Sequence, residues 1–234
     1  MRCASDQMIR LRGIAKTYEM GRYRQVEALR AVDLDVDQGE FVVITGRSGA
    51  GKTTLLNVIA GLSRPTSGSV TVGGVDLWRL SDRRLSLLRN RTMGFVFQFP
   101  SLLASLSVLH NVMLPMSLTG ENAASRCRER AYELLASVGL GDRLTSYPRQ
   151  LSAGQQQRVV IARALVNRPS VLLADEPSSD LDEETEAEIM NLFRRIHTET
   201  GVTIAMVTHT KELVAYGTRH VAMAGGGLAG GATS

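Results

Sequence analysis

The run GRSGAGKTT at residues 46–54 constrains this chain more than any other stretch. Ahead of it stand Phe41, Val42, Val43 and Ile44, an apolar, β-branched run of strand length. Behind it, LLNVIA at residues 55–60 has helical patterning and stops at Gly61. Strand, glycine-rich turn and helix form the context in which G-x-x-x-x-G-K-[ST] cradles a phosphate. Glycines let the backbone curl until successive N–H groups point inward at an anion, and the helix N-terminus adds partial positive charge. Lys52 then reaches the terminal phosphates, and the Thr53 hydroxyl is a ligand for Mg²⁺. The competing explanation is an ordinary glycine turn with a chance lysine; the agreement of the loop with both flanks argues against it. The pattern predicts a binder of a nucleoside triphosphate.

A chain of 234 residues that is 44% hydrophobic can bury a sizeable core, and one domain is expected. The first residues, MRCASDQMIRLRG, lack the continuous apolar stretch of a secretory leader. No window nears the roughly 18 apolar residues of a membrane span. Cys3 and Cys127 have no metal-like spacing and suggest no disulfide scaffold, so a reducing cytoplasm is the expected setting. The net charge of +4 invites a nucleic-acid reading. The basic residues are scattered and aromatic content is only 5%, so no nucleic-acid partner is expected. Lysine is confined to positions 16, 52 and 211. One of them occupies the glycine-rich loop, where a compact ammonium fits and a planar guanidinium does not.

Residues 8–18 alternate in part as a half-buried strand does, and a charged, looped stretch is expected to follow through Arg30. Residues 31–36 alternate cleanly, and Asp37, Gln38 and Gly39 turn the chain into the strand at 41–44. After the first helix come a turn at 65–68 and a short strand, residues 69–72, that ends at Gly73 and Gly74. A basic helix over 81–91 and a buried strand over 94–97 lead to Gln98. From Phe99 to about Ile161 the pattern is helical, with Ala131, Leu134, Leu135 and Val138 on one face before Gly139 and Gly141. A further helix starts at Ser152, followed by a strand at 171–174, an acidic helix over about 183–198 and a strand at 202–207. Strands alternating with helices predict a parallel α/β core. The helical stretch 99–160 is read as an insertion into it, and GGGLAGGATS at 225–234 as a flexible tail.

Two further clusters bear chemistry. Asp175 and Glu176 end the apolar run VLLA, where a parallel sheet presents its ligand-binding edge. The aspartate suits Mg²⁺ and the glutamate suits orienting a water; a solvated acidic turn is the alternative. In LSAGQQQR at 151–158, Ser152 and Gln155 form an S-x-x-Q capping box. That stretch either only starts a helix or offers exposed N–H groups as a second anion site. Two phosphate sites in one chain suggest a nucleotide held between two subunits.

GRSGAGKTT, Gln98, LSAGQQQR, VLLADEP, SSDLD and Thr208-His209 stand in the order found in the ATP-binding cassette (ABC) ATPases, which this chain resembles over about residues 8–222. The runs GFVFQFPSLLASLSVLHNVMLP and QLSAGQQQRVVIARALVNRPSVLLADEP look most like the branch of lipoprotein-releasing, macrolide-exporting and cell-division ATPases. The resemblance implies a phosphate-loop NTPase core of RecA type, an N-terminal antiparallel β subdomain and an inserted helical subdomain, within one cassette domain over residues 1–224. It implies that Tyr18 stacks on adenine, with ordinary core packing as the alternative for a lone aromatic. Gly46, Arg47, Ser48, Gly49, Ala50, Gly51, Lys52, Thr53 and Thr54 would wrap the phosphates of ATP. Thr53, Gln98 and Asp175 would serve Mg²⁺, and Gln98 would also sense a membrane partner. Ser152, Gly154 and Gln155 would close over the γ-phosphate held by the opposite subunit, with Asp182 in the interface loop. Glu176 would be the catalytic carboxylate and His209 would contact the γ-phosphate, unless that histidine is only structural.

By the same resemblance the partners are a separate transmembrane permease and a second copy or a related ATPase, on the cytoplasmic face of the cell membrane. Two departures stand out: Ala153 replaces the usual first glycine of the signature, and Asp180 falls where a small or neutral residue is usual. As the first helical residue, Ala153 is compatible with helix dihedrals. A soluble ABC ATPase without a permease, such as a cluster-assembly ATPase, is the alternative function. A GTPase outside the family would need an N-K-x-D motif, and none occurs.

Overall fold

Two β-sheets flank one helix in the half of the molecule that holds the glycine-rich loop. The computed structural model describes residues 7–21, 24–118 and 124–229. A long antiparallel ribbon, β1 (Gln7–Met20) and β2 (Arg24–Asp37), is extended by β4 (Ser67–Val72) and β5 (Val75–Asp76). The order is β2-β1-β4-β5. In the second sheet β9 (Arg219–Ala224), β3 (Phe41–Thr45), β8 (Thr203–Thr208), β7 (Val171–Asp175) and β6 (Met93–Val96) run parallel. A short antiparallel strand, β10 (Gly227–Leu228), adds to the β9 edge. Helix α1 (Lys52–Ile59) follows β3 and lies between the sheets.

Both faces of the parallel sheet are covered at β3, β7 and β8, and so these strands are buried nearly throughout, whereas β9 alternates. Phe41 and Val43 of β3 point into one core with Leu172, Ala174, Ile204 and Met206. Their neighbours Val42 and Ile44 point into the other with Leu173, Ala205 and Val207. The first core is closed by α3 (Val108–Ser117), α4 (Ala124–Ser137), α5 (Ala153–Leu165) and α6 (Glu183–Thr200). The second holds α1 through Leu55, Leu56, Val58 and Ile59 against Ile9, Leu11 and Ile14 of β1. Each such side chain removed from water contributes about 1.5–3 kcal/mol. The faces meet at the phosphate-loop strand, which is therefore rigid from both sides.

Several boundaries differ from the expectation. The charged stretch before Arg30 is strand, not loop: β1 pairs with β2 from Gln7↔Asp37 to Met20↔Arg24. Ladder hydrogen bonds need no apolar side chains, and charges pair across the ribbon instead, as Arg12 does with Asp35 at 2.7 Å. The segment from Phe99 to Ser107 is irregular, and helix begins only at Val108, where Ser107 caps α3. The segment is held by buried Asn111, which accepts from the Leu103 N–H at 2.8 Å and donates to the carbonyls of Leu103, Leu106 and Ser107. The first residues of the expected glycine tail are also ordered into the sheet. Gly225 and Gly226, both at positive φ, turn β9 into β10, as a type I′ hairpin requires. Residues 230–234 of that tail lie outside the described residues.

Candidate active site

Residues 46–51 leave β3 and enter α1 through Gly46 and Gly51, where a side chain has no room. Gly51 caps the helix at φ +99, and a Cβ there would lie 2.4 Å from the Ala28 carbonyl oxygen. A Cβ on Gly46 would lie 2.6 Å from the Met223 carbonyl oxygen. The loop is thus pressed against β2 on one side and β9 on the other. Lys52 folds back over it, 7% exposed, and donates from Nζ to the carbonyls of Gly46 at 2.8 Å and Arg47 at 3.4 Å. The loop's own carbonyls thus fix the position of the ammonium.

Strand β7 ends at the same edge. Thr53 donates from Oγ1 to Asp175 Oδ1 at 3.1 Å. Burial pushes the Asp175 carboxyl above its ordinary range, against the opposing pull of the Thr53 hydrogen bond and Lys52. Glu176 stands at φ +46, left-handed for a non-glycine residue, with its N–H bonded to Val207 C=O at 2.9 Å. Such a conformation costs on the order of 1–3 kcal/mol and is retained where the aim of the side chain matters. Its carboxylate is 11% exposed: Oε1 lies 3.4 Å from Lys52 Nζ, and Oε2 lies 2.8 Å from His209 Nδ1. A carboxylate only accepts, so Nδ1 carries the proton and Nε2 is left at the open edge of the ring. His209 is 58% exposed, unlike a histidine satisfied in the core.

Lys52, Thr53, Glu176 and His209 line one cleft of about 640 Å³ with Tyr18, Val26, Ser48, Gly49, Ala50, Gly51, Thr54 and Gln98, whereas Gly46, Arg47 and Asp175 lie behind its wall rather than in it. Tyr18 is 37% exposed there, its hydroxyl 3.3 Å from Ser63 Oγ and its ring centroid 4.9 Å from Lys16 Nζ. Val26, its cross-strand partner, is equally exposed and presents a second apolar surface beside it. Gln98 enters the cleft from the end of β6.

Ser152, Gly154, Gln155 and Asp182 do not line this cleft. Ser152 and Gln155 form the reciprocal capping box at the start of α5: Gln155 N–H donates to Ser152 Oγ at 3.2 Å and Ser152 N–H to Gln155 Oε1 at 3.0 Å. Ala153 is the first helical residue, as its dihedral tolerance predicts. Gly154 packs on α6, where a Cβ would meet Thr185 Cγ2 at 2.5 Å. Thr185 in turn donates by N–H and hydroxyl to Asp182, the cap of α6, and this holds Asp182 below the usual carboxylate range. Asp180 is exposed two residues earlier. The starts of α5 and α6 are therefore one unit, separate from the cleft.

Arg163, Asn111, Val26 and the backbone of Ala28 are contributors that pattern reading missed. Arg163 on α5 donates to the carbonyl of Ser101 at 2.7 Å and to its Oγ at 2.9 Å, tying down the segment that follows Gln98. No carboxylate among the described residues pairs with it, and burial lowers its pKa. Nothing in its local sequence announces that role, because its partner lies 62 residues away.

The family model of the ABC transporters matches residues 29–179. The chain belongs to the ABC transporter family. An uncharacterized ABC transporter ATP-binding protein of Thermotoga maritima is 50% identical over 224 residues, covering 96% of this chain and 94% of that protein. The lipoprotein-releasing system ATP-binding protein LolD of Geobacter metallireducens is 44% identical over 221 residues, covering 94% and 97%. The branch read from the motif runs is the one these relatives support. Among solved structures, the dimeric post-hydrolysis cassette MJ0796 bound to ADP and Pi superposes with a TM-score of 0.87 at 40% identity, covering 94% of this chain and 96% of that one. The ABC ATPase described here is thus a phosphate-loop α/β cassette that binds and hydrolyses ATP. No helix among its described residues is long and apolar enough to cross a membrane.

Proposed function

We propose that this ABC ATPase acts as one half of a head-to-tail dimer that closes on two ATP molecules and drives a separate membrane permease. One observation carries the reading. The cleft of the chain holds the cradle, Lys52, Glu176 and His209, whereas the capped start of α5 lies elsewhere on the same chain. The first-turn N–H groups of Ala153 and Gly154 have no partner within the helix and suit an anion. A second copy turned end to end brings that helix start over the open cleft.

In this arrangement Tyr18 and Val26 receive the adenine, residues 46–54 hold the phosphates, and Ser152, Gly154 and Gln155 of the opposite copy cover the γ-phosphate. Phosphate oxygens compete with Glu176 for the Lys52 ammonium. Their arrival frees Glu176 to orient a water at the γ-phosphorus, while His209, still bonded to Glu176 through Nδ1, turns the exposed edge of its ring towards the phosphate. Mg²⁺ fits here: the Thr53 hydroxyl, the desolvated Asp175 carboxylate and the Gln98 amide are hard oxygen donors. The ion would neutralise charge on the transferring phosphoryl group.

Residues 99–160 serve as the helical arm. Beside it runs an apolar groove of about 570 Å³ between α2 (Asp82–Thr92), β6, α3 and α5, with Leu87, Phe95, Phe97, Leu114 and Leu118 in its walls. Phe97 precedes Gln98, so a permease segment docked in the groove touches the residue next to the cleft. Export or lipoprotein extraction at the cytoplasmic face of the membrane is the work this branch suggests. The test uses Glu176→Gln protein with ATP. A nucleotide-dependent dimer in size-exclusion chromatography and a membrane permease co-purifying from gently solubilised membranes are expected. A protein that stays monomeric with ATP, or that captures only soluble partners, overturns the proposal.

A further inference from the structure

We infer that Gly226, in the hairpin after the last core strand, is a positioning residue that aims the phosphate loop; this rests on the reading that the loop binds ATP. Three pieces of backbone from distant parts of the chain meet under the loop. Gly226 N–H donates to the Ala50 carbonyl at 3.2 Å, and the Gly226 carbonyl accepts from Arg30 N–H at 2.8 Å. The Ala28 carbonyl oxygen sits 2.4 Å from where a Cβ on Gly51 would be and 3.0 Å from where one on Gly226 would be. Met223, on the same hairpin, brings its carbonyl oxygen 2.6 Å from the corresponding point on Gly46. Both ends of the glycine-rich loop, Gly46 and Gly51, therefore rest on residues 223–226 or on the strand they are bonded to.

The geometry of a trans peptide turns this contact into a functional one. Within one planar peptide unit the carbonyl and the N–H point in opposite directions. The Ala50 carbonyl is drawn down to Gly226, beneath the loop. The N–H at the other end of that unit belongs to Gly51 and is thereby directed up, into the cleft that Gly51 lines. An anion cradle depends on N–H groups that already converge before the phosphate binds, since an amide free to rotate must be ordered at the moment of binding. Gly226 supplies that order at one peptide.

The neighbouring glycine provides the control. Gly225 also has positive φ, +56 against +84, but is exposed, and a Cβ there meets nothing within 4 Å. Alanine at either position is strained by its dihedral, whereas alanine at 226 alone also forces the hairpin away from Ala28 and Ala50. Full-length Gly226→Ala and Gly225→Ala proteins would be compared with wild type in ATP affinity by titration calorimetry and in melting temperature without nucleotide. The expected result is that Gly226→Ala binds ATP about five- to tenfold more weakly than Gly225→Ala, although the two melt within a few degrees of each other. Equal ATP affinity in the two variants overturns the inference. A second measurement on wild type covers the case in which Gly226→Ala does not fold. Coupling is reciprocal, so ATP should slow hydrogen exchange at the Gly226 amide together with that of Gly51. Slowing at Gly51 with no change at Gly226 overturns it as well. Wild-type protein that binds no ATP overturns the nucleotide reading itself, a different and distinguishable result.

Discussion

Glu176 and His209 are bonded twice through one oxygen: Glu176 Oε2 accepts from the His209 ring at 2.8 Å and from the His209 backbone N–H at 3.2 Å. The pair joins the ends of β7 and β8, adjacent parallel strands, so its spacing is set by the sheet rather than by a mobile loop.

His209→Ala removes the ring and leaves Glu176 with the backbone N–H and Lys52. The carboxylate stays in place, but the ring contact proposed for the γ-phosphate is lost. A fall in kcat of about 10²- to 10³-fold with ATP affinity changed little is expected, measured by phosphate release and equilibrium binding. Weakened binding with unchanged kcat would place His209 in ground-state contact only.

Gly154→Ala sets a methyl 2.5 Å from Thr185 Cγ2 and should cost about 1–3 kcal/mol in stability. Adding Thr185→Ser removes the opposing methyl yet keeps a hydroxyl for Asp182, so the melting temperature should recover. If the start of α5 covers a γ-phosphate across the dimer, ATPase activity of the double variant stays low after stability is restored. Recovery of both would assign Gly154 to packing alone.

Asp175 gives a pH signature whose sign follows from burial. Its folded pKa is raised, so the folded state holds the proton more tightly than the unfolded chain. Stability therefore carries a penalty above the folded pKa, and the penalty disappears as pH falls towards the ordinary carboxylate value. Without Mg²⁺, Asp175→Asn should melt higher than wild type at pH 7, and the difference should shrink on acidification to pH 4. A gap that widens on acidification refutes the assignment.

Arg163→Met exchanges a half-buried cation, without a carboxylate partner among the described residues, for a side chain of similar length. Removing such a charge costs little stability, within about 1 kcal/mol, but it releases Ser101 from α5. Hydrogen exchange over residues 98–106 should accelerate and kcat should fall, with thermal melting nearly unchanged. Unaltered exchange in that segment would show that Asn111 alone suffices to hold it.

The capping box of Ser152 and Gln155, the strand-turn-helix around Lys52 and the strand ending at Asp175 are all legible in the sequence, because each is a local device with a fixed spacing. The β1–β2 ribbon is not: its residues are held by partners across the hairpin, and charge conceals the pairing. Nor is the start of α3, since the stretch from Phe99 to Ser107 is shaped by one buried amide, Asn111, rather than by its own propensity.

By itself the sequence determined which residues could meet a phosphate, a metal and a water, since glycine spacing, a lone lysine and a paired carboxylate are properties of the chain at short range. Tertiary structure alone decided that Glu176 faces both Lys52 and His209, that Gly154 is pressed on Thr185, and that Gly226 bonds to the loop at Ala50. Those contacts join residues tens to nearly two hundred positions apart. Only the packing of the sheets and helices brings them together, and no local pattern encodes a distance across the core.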